Sequence, residues 1–205
     1  MKILLLDAYN LIYRARSGFT RGDFPVVYNF FRSLRPLIEK FDPDKVYFVL
    51  EGDPKFRNEI SGGLYKGNRA AQSRSFHEQK ANIILVKSCF PFEVVRHPEL
   101  ECDDAIATIA AIHLRKKHKV SIISSDSDFI QLLNMFEKNL EIYNPVRKSF
   151  IDKPDYDYVT WKSLRGDPTD NILGIKGVGD KTAEKLCKNP ELLVNLLKDK
   201  EKRKI

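Results

Sequence analysis

At 205 residues, with 42% hydrophobic and 31% charged side chains and a net charge of +7, the chain has the composition of a soluble globular protein able to bury a full core. Its apolar start, Ile3 to Leu6, meets Asp7 at once and is too short for a signal-peptide core, and no other run approaches a membrane span, so the chain reads as intracellular. Cys89, Cys102 and Cys187 are widely spaced and form no CxxC pair, which argues against a disulfide framework and a structural zinc site. In chain order, β-rich apolar runs at Lys2 to Leu6, Lys45 to Leu50, Phe92 to Val95 and Val120 to Ser124 predict strands. Between them, helical spacing covers Val26 to Lys40, Asn68 to Ser88 and Asp103 to Lys117, the first interrupted or kinked near Pro36. This is the rhythm of an α/β fold with a parallel central sheet flanked by helices. Leu140 to Tyr143 and Ser149 to Ile151 add edge strands. Around Pro154 to Tyr158 the composition turns polar and aromatic, and beyond it come short helices and glycine turns without strand signals. The expected division is therefore 1–157 and 158–205, with a lysine-rich tail from Lys198 to Lys204 that reads as a solvated helix end.

For a basic chain, the number of clustered acids is high. Asp7 follows ILLL, Glu51 follows VYFVL, Glu101, Asp103 and Asp104 lie in ECDDAIA, Asp126 and Asp128 in SSDSDF, and Asp167 and Asp170 in GDPTDN. Taken singly, each is explained by helix capping or a solvated face. Ligands of an open parallel sheet, however, gather beyond the carboxyl ends of its strands, where Asp7, Glu51 and Asp126 fall. Like charges gathered there require neutralising cations, and carboxylates suit Mg²⁺ or Mn²⁺. A basic chain around an acidic, metal-filled centre suggests a nuclease acting on a polyanion.

Other motifs are weaker alone. YKGNR, followed by Arg74, His77 and Lys80, sets an aromatic and several cations on a polar helical segment, for which a basic solvated helix is by itself the commoner explanation. In GIKGVGDKTAEKL, glycines 174, 177 and 179 allow positive φ and outward amides just before a helix near Asp180, a turn able to bind phosphate. The four histidines have no ligand spacing or nucleophile partner.

Together, DAYNLIYR, FRNEISGGLYKGNR, ELECDDAIA, SSDSDFIQLL and LRGDPTDNILGIKGVGDKTAEKL resemble, in order and over most of the chain, the flap endonuclease and 5′-exonuclease family. That family includes the 5′-nuclease domains of bacterial polymerase I and phage exonucleases. The resemblance implies a PIN-like α/β nuclease domain over 1–157, with a helical arch around 65–88, and a helix-three-turn-helix duplex-binding region over 158–205. Asp7, Glu51, Glu101, Asp103, Asp104 and Asp126 would form a first metal site, directly or through water. Asp126, Asp128, Asp167 and Asp170 would form a second. The family has Asp where this chain has Glu51, with Asp53 close by, and Ala where it has Cys102, expected to be a packed residue rather than a ligand. Lys66 and Arg69 would grip the scissile phosphate and Tyr65 would stack on an unpaired base. Arg14, Arg57, Arg74 and Lys80 would assist. Gly174, Gly177 and Gly179, with Lys176, Lys181, Lys185 and in addition Lys188, would hold the duplex backbone, with K⁺ a candidate at 174–179.

The implied activity is hydrolysis of DNA at single-strand/duplex junctions by two metals, as 5′–3′ exonuclease and flap endonuclease in replication and repair. The expected partner is DNA with a 5′ flap or 5′ end, with RNA/DNA hybrid as a second candidate. A monomer without membrane association, in the cytoplasm of a bacterium or a phage-infected host, completes the expectation. A PIN-type ribonuclease would lack GIKGVGDKTAEKL, and a non-catalytic junction binder would have lost several acids.

Overall fold

The computed structural model describes residues 1–67 and 71–198, Ser88 by its backbone alone. In chain order, β1 (Lys2–Asp7) leads to α1 (Ala8–Ala15), α2 (Pro25–Phe41), β2 (Lys45–Leu50), α3 (Lys55–Ile60), α4 (Arg74–Val86) and β3 (Phe92–Arg96). Next come α5 (Cys102–Arg115), β4 (Lys119–Ile123), α6 (Ile130–Met135), β5 (Leu140–Asn144) and β6 (Ser149–Phe150). The chain ends with α7 (Tyr158–Arg165), β7 (Gly166–Asp167), β8 (Ile172–Leu173), α8 (Asp180–Lys188) and α9 (Pro190–Lys198). Two compact units result, one from residues 1–54 and 71–152, the other from 55–70 and 153–205 as far as described. Among the described residues no helix is long and apolar enough to cross a membrane.

The larger unit is built on a six-stranded sheet of order β3-β2-β1-β4-β5-β6, parallel except for β6, which runs antiparallel to β5. Strand alternation sends successive side chains to opposite faces. Leu4 and Leu6 join Val46, Phe48, Phe30, Leu34, Phe76 and Ile83 in one core, under α1, α2 and α4. Ile3 and Leu5 join Val49, Ile106, Ile122, Phe129 and Leu133 in the other, under α5 and α6. Burial on both faces explains why β1 and β2 read as continuous apolar runs.

Helix α2 does not break at Pro36. Val26, Phe30, Leu34 and Leu37 bury one continuous face on both sides of the proline, which is itself exposed. The helix has Pro25 in its first turn and ends at Asp42, in the left-handed region at φ 42°. The helix expected over 68–88 begins later, at Arg74, because Ser73 caps it by accepting the Phe76 N–H at 3.3 Å. Of that prediction Asn68 lies outside the described residues, as does the tail beyond Lys198.

In the smaller unit, Leu164, Ala183 and Leu186 form a small core with Trp161, Ile175, Val178, Leu193 and Leu196, joining α7, α8 and α9. No strand was expected after residue 158, yet β7 and β8 pair antiparallel, Gly166 opposite Leu173 and Asp167 opposite Ile172. Two residues per strand are too few to carry an alternation signal.

Candidate metal centre and nucleic-acid-binding elements

The sheet order reverses at β1, whose neighbours are β2 on one side and β4 on the other, so a crevice opens at the carboxyl ends of β1 and β4. Asp7 closes β1 and lies 5% exposed in that crevice. It caps α1 by accepting the Asn10 N–H at 3.0 Å, and it accepts the Ser124 hydroxyl, just beyond β4, at 2.7 Å. Ser124 Oγ in turn accepts the Asp126 N–H at 3.0 Å, and Asp126 accepts the Asp128 N–H at 2.9 Å. Asn10 Oδ1 takes both the N–H and the hydroxyl of Ser125, at 3.0 and 2.9 Å. A chain of short polar links thus holds the β4 acids beside Asp7.

From the other side of β1, Glu51 follows β2 and its Oε2 accepts the N–H of Cys102, the first residue of α5, at 3.2 Å. A carboxylate at a helix N-terminus meets unsatisfied N–H groups and the positive end of the dipole. Asp53 is exposed and its N–H is tied to the Pro98 carbonyl at 3.0 Å, so of the two acids it is Glu51 that joins the cluster. Glu101 is the cap residue of α5 and is 1% exposed. Asp103 and Asp104 occupy the first turn of that helix, and Asp104 is rotated from Asp103 by about 100° around its axis.

The electrostatics record the crowding. Burial raises Asp103 to about 8, with the charges of Asp7, Asp126, Glu51 and Glu101 adding to it. Burial also lifts Asp7 to about 6, against the lowering effect of its hydrogen bonds from Asn10 and Ser124. Cys102 sits between them, donating to the Val49 carbonyl at 3.3 Å and facing Asp7 Oδ1 at 3.7 Å. Burial and then Asp7 push its thiol far above the ordinary range, so it is a packed neutral group.

Beside Asn10 and Ser125 opens a cleft of about 630 Å³ lined by Tyr13, Arg14, Phe19 and Arg32. Asn29 shapes it, holding the Ala15 and Phe19 carbonyls at 2.9 and 2.8 Å. The sequence reading found Arg14 but missed Asn10, Ser124 and Arg32, whose residue types carry no signal until the fold places them. On α4, Arg74 pairs with Glu78 at 2.9 Å, and the Lys80 ammonium lies 4.9 Å from the Tyr9 ring centroid.

In the smaller unit, Asp167 is claimed by the Lys162 ammonium at 2.8 Å and by the Thr169 N–H at 2.9 Å. Burial pulls its carboxyl upward, but these partners outweigh it and hold it at about 2. The Tyr65 hydroxyl donates to Asp170 Oδ2 at 3.2 Å, so that ring is engaged rather than free-standing. Lys66, at φ 54°, follows it, and Arg57 lies on α3. Arg69 lies outside the described residues.

The glycines of 174–179 act differently from expectation. Only Gly177 has positive φ, at 81°. Gly174 is required by close approach, since a Cβ there would lie 2.0 Å from the Arg165 carbonyl oxygen, whereas Gly179 is the extended cap residue of α8. Lys176, Lys181 and Lys185 are exposed around this turn. Lys188 is instead drawn to Asp155 and Glu184, at 2.8 and 2.7 Å.

A mainly parallel sheet with acids at its switch point defines a broad class of α/β proteins, and sequence comparison makes the class specific. Residues 2–160 match the model of the 5′-3′ exonuclease, N-terminal resolvase-like domain, and the chain belongs to that family. It is 32% identical over 216 residues to a thermostable DNA polymerase I of Thermus thermophilus, covering 97% of this chain and 25% of the polymerase. The chain thus spans about a quarter of the length of such polymerase relatives. It is 30% identical over 223 residues to a 5′-3′ exonuclease of Aquifex aeolicus, covering 98% of this chain and 74% of the relative. The fold is shared with the bacteriophage T5 D15 flap endonuclease in complex with DNA and metal ions, at TM-score 0.77 and 18% identity over 92% of this chain and 75% of that one.

Proposed function

We propose that the chain hydrolyses DNA phosphodiesters from or near 5′ ends at junctions of single strand and duplex, as 5′–3′ exonuclease and flap endonuclease. The observation carrying this reading is the gathering of Asp7, Glu51, Asp103 and Asp126 around the buried start of α5, where Asp103 is raised to about 8. Crowded carboxylates with oxygen donors, next to a thiol held neutral, fit hard divalent cations and favour Mg²⁺ or Mn²⁺ over zinc. Asp7, Glu51, Glu101, Asp103, Asp104 and Asp126 would hold one cation, directly or through water. Asp167 and Asp170 would contribute ligands to a second. Bound there, the cations supply Lewis-acid activation of water and neutralise charge developing on the phosphate.

The protein's own groups orient the substrate. Lys66, with Arg69, offsets charge on the scissile phosphate, and Arg14 lines a cleft of about 630 Å³. The turn at 174–179 with Lys176, Lys181 and Lys185 grips the duplex backbone without reading bases, as a helix-three-turn-helix whose residues 174–179 would hold K⁺. Residues 1–157 supply most of the chemistry, while 158–205 supply the grip and, through Asp167 and Asp170, ligands to the second cation, in a monomer of the bacterial or infected-host cytoplasm that serves replication and repair. RNA/DNA hybrid is the second candidate substrate.

The test uses labelled 5′-flap DNA and single-stranded RNA, each with Mg²⁺ or with EDTA. Flap cleavage in Mg²⁺ and none in EDTA is expected. Equal cleavage in EDTA would sink the metal requirement, and preferential RNA cleavage would replace the reading with a ribonuclease. Asp126→Asn is expected to lower cleavage about 100-fold or more while retaining flap binding.

A further inference from the structure

We propose that Tyr65 is a positioning residue that sets Asp170 and Lys66 together, a role resting on the nuclease reading above. Its hydroxyl donates to Asp170 Oδ2 at 3.2 Å, while the Lys66 ammonium lies 5.0 Å from the centroid of its ring. One side chain therefore holds a carboxylate at its polar tip and a cation against its face. The two contacts reinforce each other, because a cation on the ring face draws electron density from the ring and makes the hydroxyl a better donor to the carboxylate.

The backbone carries the same link. The Lys66 N–H donates to the Asp170 carbonyl at 3.4 Å, and Asn171 Nδ2 donates to the Leu64 carbonyl at 3.3 Å. Lys66 at φ 54° and Asn171 at φ 60° both lie in the left-handed region. Ser61 Oγ accepts the Tyr65 N–H at 3.1 Å and fixes the start of the turn. Segments 105 positions apart are thereby joined side chain to side chain and backbone to backbone. Asp170 is held by Tyr65 in one orientation before a cation arrives, and Lys66 keeps a fixed offset from it. The distance between the phosphate-binding ammonium and the cation-binding carboxylate is then a property of Tyr65.

The test compares the full chain with its Tyr65→Phe and Tyr65→Leu variants. Calorimetric titration of Mg²⁺ alone into metal-free protein reads the carboxylate without activity, and the Mg²⁺ midpoint of 5′-flap cleavage reads it in turnover. For Tyr65→Phe, which keeps the ring and loses the hydroxyl, Mg²⁺ affinity should fall and the cleavage midpoint rise about 5- to 10-fold. The rate at saturating Mg²⁺ and the flap affinity in EDTA, compared between the two variants, separate loss of the hydroxyl from loss of the ring. Tyr65→Leu should in addition lower the saturating rate, since Lys66 loses its seat. An unchanged Mg²⁺ titration in Tyr65→Phe overturns the proposal, and loss of flap affinity confined to Tyr65→Leu assigns the ring to base stacking. If the unmodified protein fails to cleave the flap in Mg²⁺, the nuclease reading falls. The Mg²⁺ calorimetry still decides the Tyr65–Asp170 link.

Discussion

Asp7 and Asp103 carry uncomfortable charges in the crevice. Their carboxyls are raised above the usual carboxylate range, to about 6 and about 8, so the folded chain holds protons there that the unfolded chain releases near pH 4. Their contribution to stability is full below about pH 4 and is lost as pH rises through 6 and then 8. In EDTA, the melting temperature should therefore fall between pH 5 and about pH 9. Millimolar Mg²⁺ should raise it, and by several degrees more at pH 8.5 than at about pH 5.5, where protons already relieve the crowding. Thermal scans at both pH values check this, and equal Mg²⁺ increments would mean that the acids do not share a cation. At this scale the sequence was most legible for carboxylates, because acids abutting apolar strands stand out. It was blind to Ser124 and Asn10, which are commonplace residues until the topology brings them to Asp7 and Ser125. Nor did YKGNR reveal that the hydroxyl of Tyr65 reaches Asp170, a pairing with no local signature.

The turn after β2 decides whether Glu51 meets the N-terminus of α5. Gly52 has no space for a side chain: a Cβ would lie 2.0 Å from the His97 carbonyl oxygen and 2.3 Å from that of Leu100, both backbone atoms of the loop that enters α5. Gly52→Ala should cost about 1–3 kcal/mol in urea denaturation and also weaken Mg²⁺ binding, since the loop must retreat and carry Glu101 with it. A loss of stability with unchanged Mg²⁺ affinity would separate the loop from the acids. Strands and long helices were readable because each repeats its period over several residues. The β7–β8 ribbon was not, since its register rests on tertiary pairing, and Pro36 misled because burial of one face outweighed the local preference to break.

For the molecule as a whole, the net charge of +7 is a poor guide to where nucleic acid binds, because many cations are already committed. Lys188 and Lys162 are spent on internal acids, whereas Lys181 and Lys185 project from exposed positions on α8. Replacing both with alanine should weaken duplex binding and flatten its salt dependence by about one unit of slope per lost phosphate contact. Affinity measured across a salt series gives that slope, and an unaltered value would place the grip elsewhere.

The position of β1 also bears on the order of events during synthesis. β1, inside the sheet, precedes both of its neighbours, β2 and, from residues 119–123, β4. While β4 remains in the ribosome, Asp7 lacks Ser124, and the crevice has only one wall. Chain termination or a translational pause before β4 would leave a fragment with a half-paired central strand and without Asp126 and Asp128. The wall of the crevice that carries Ser124 and Asp126 is thus completed only when β4 pairs with β1.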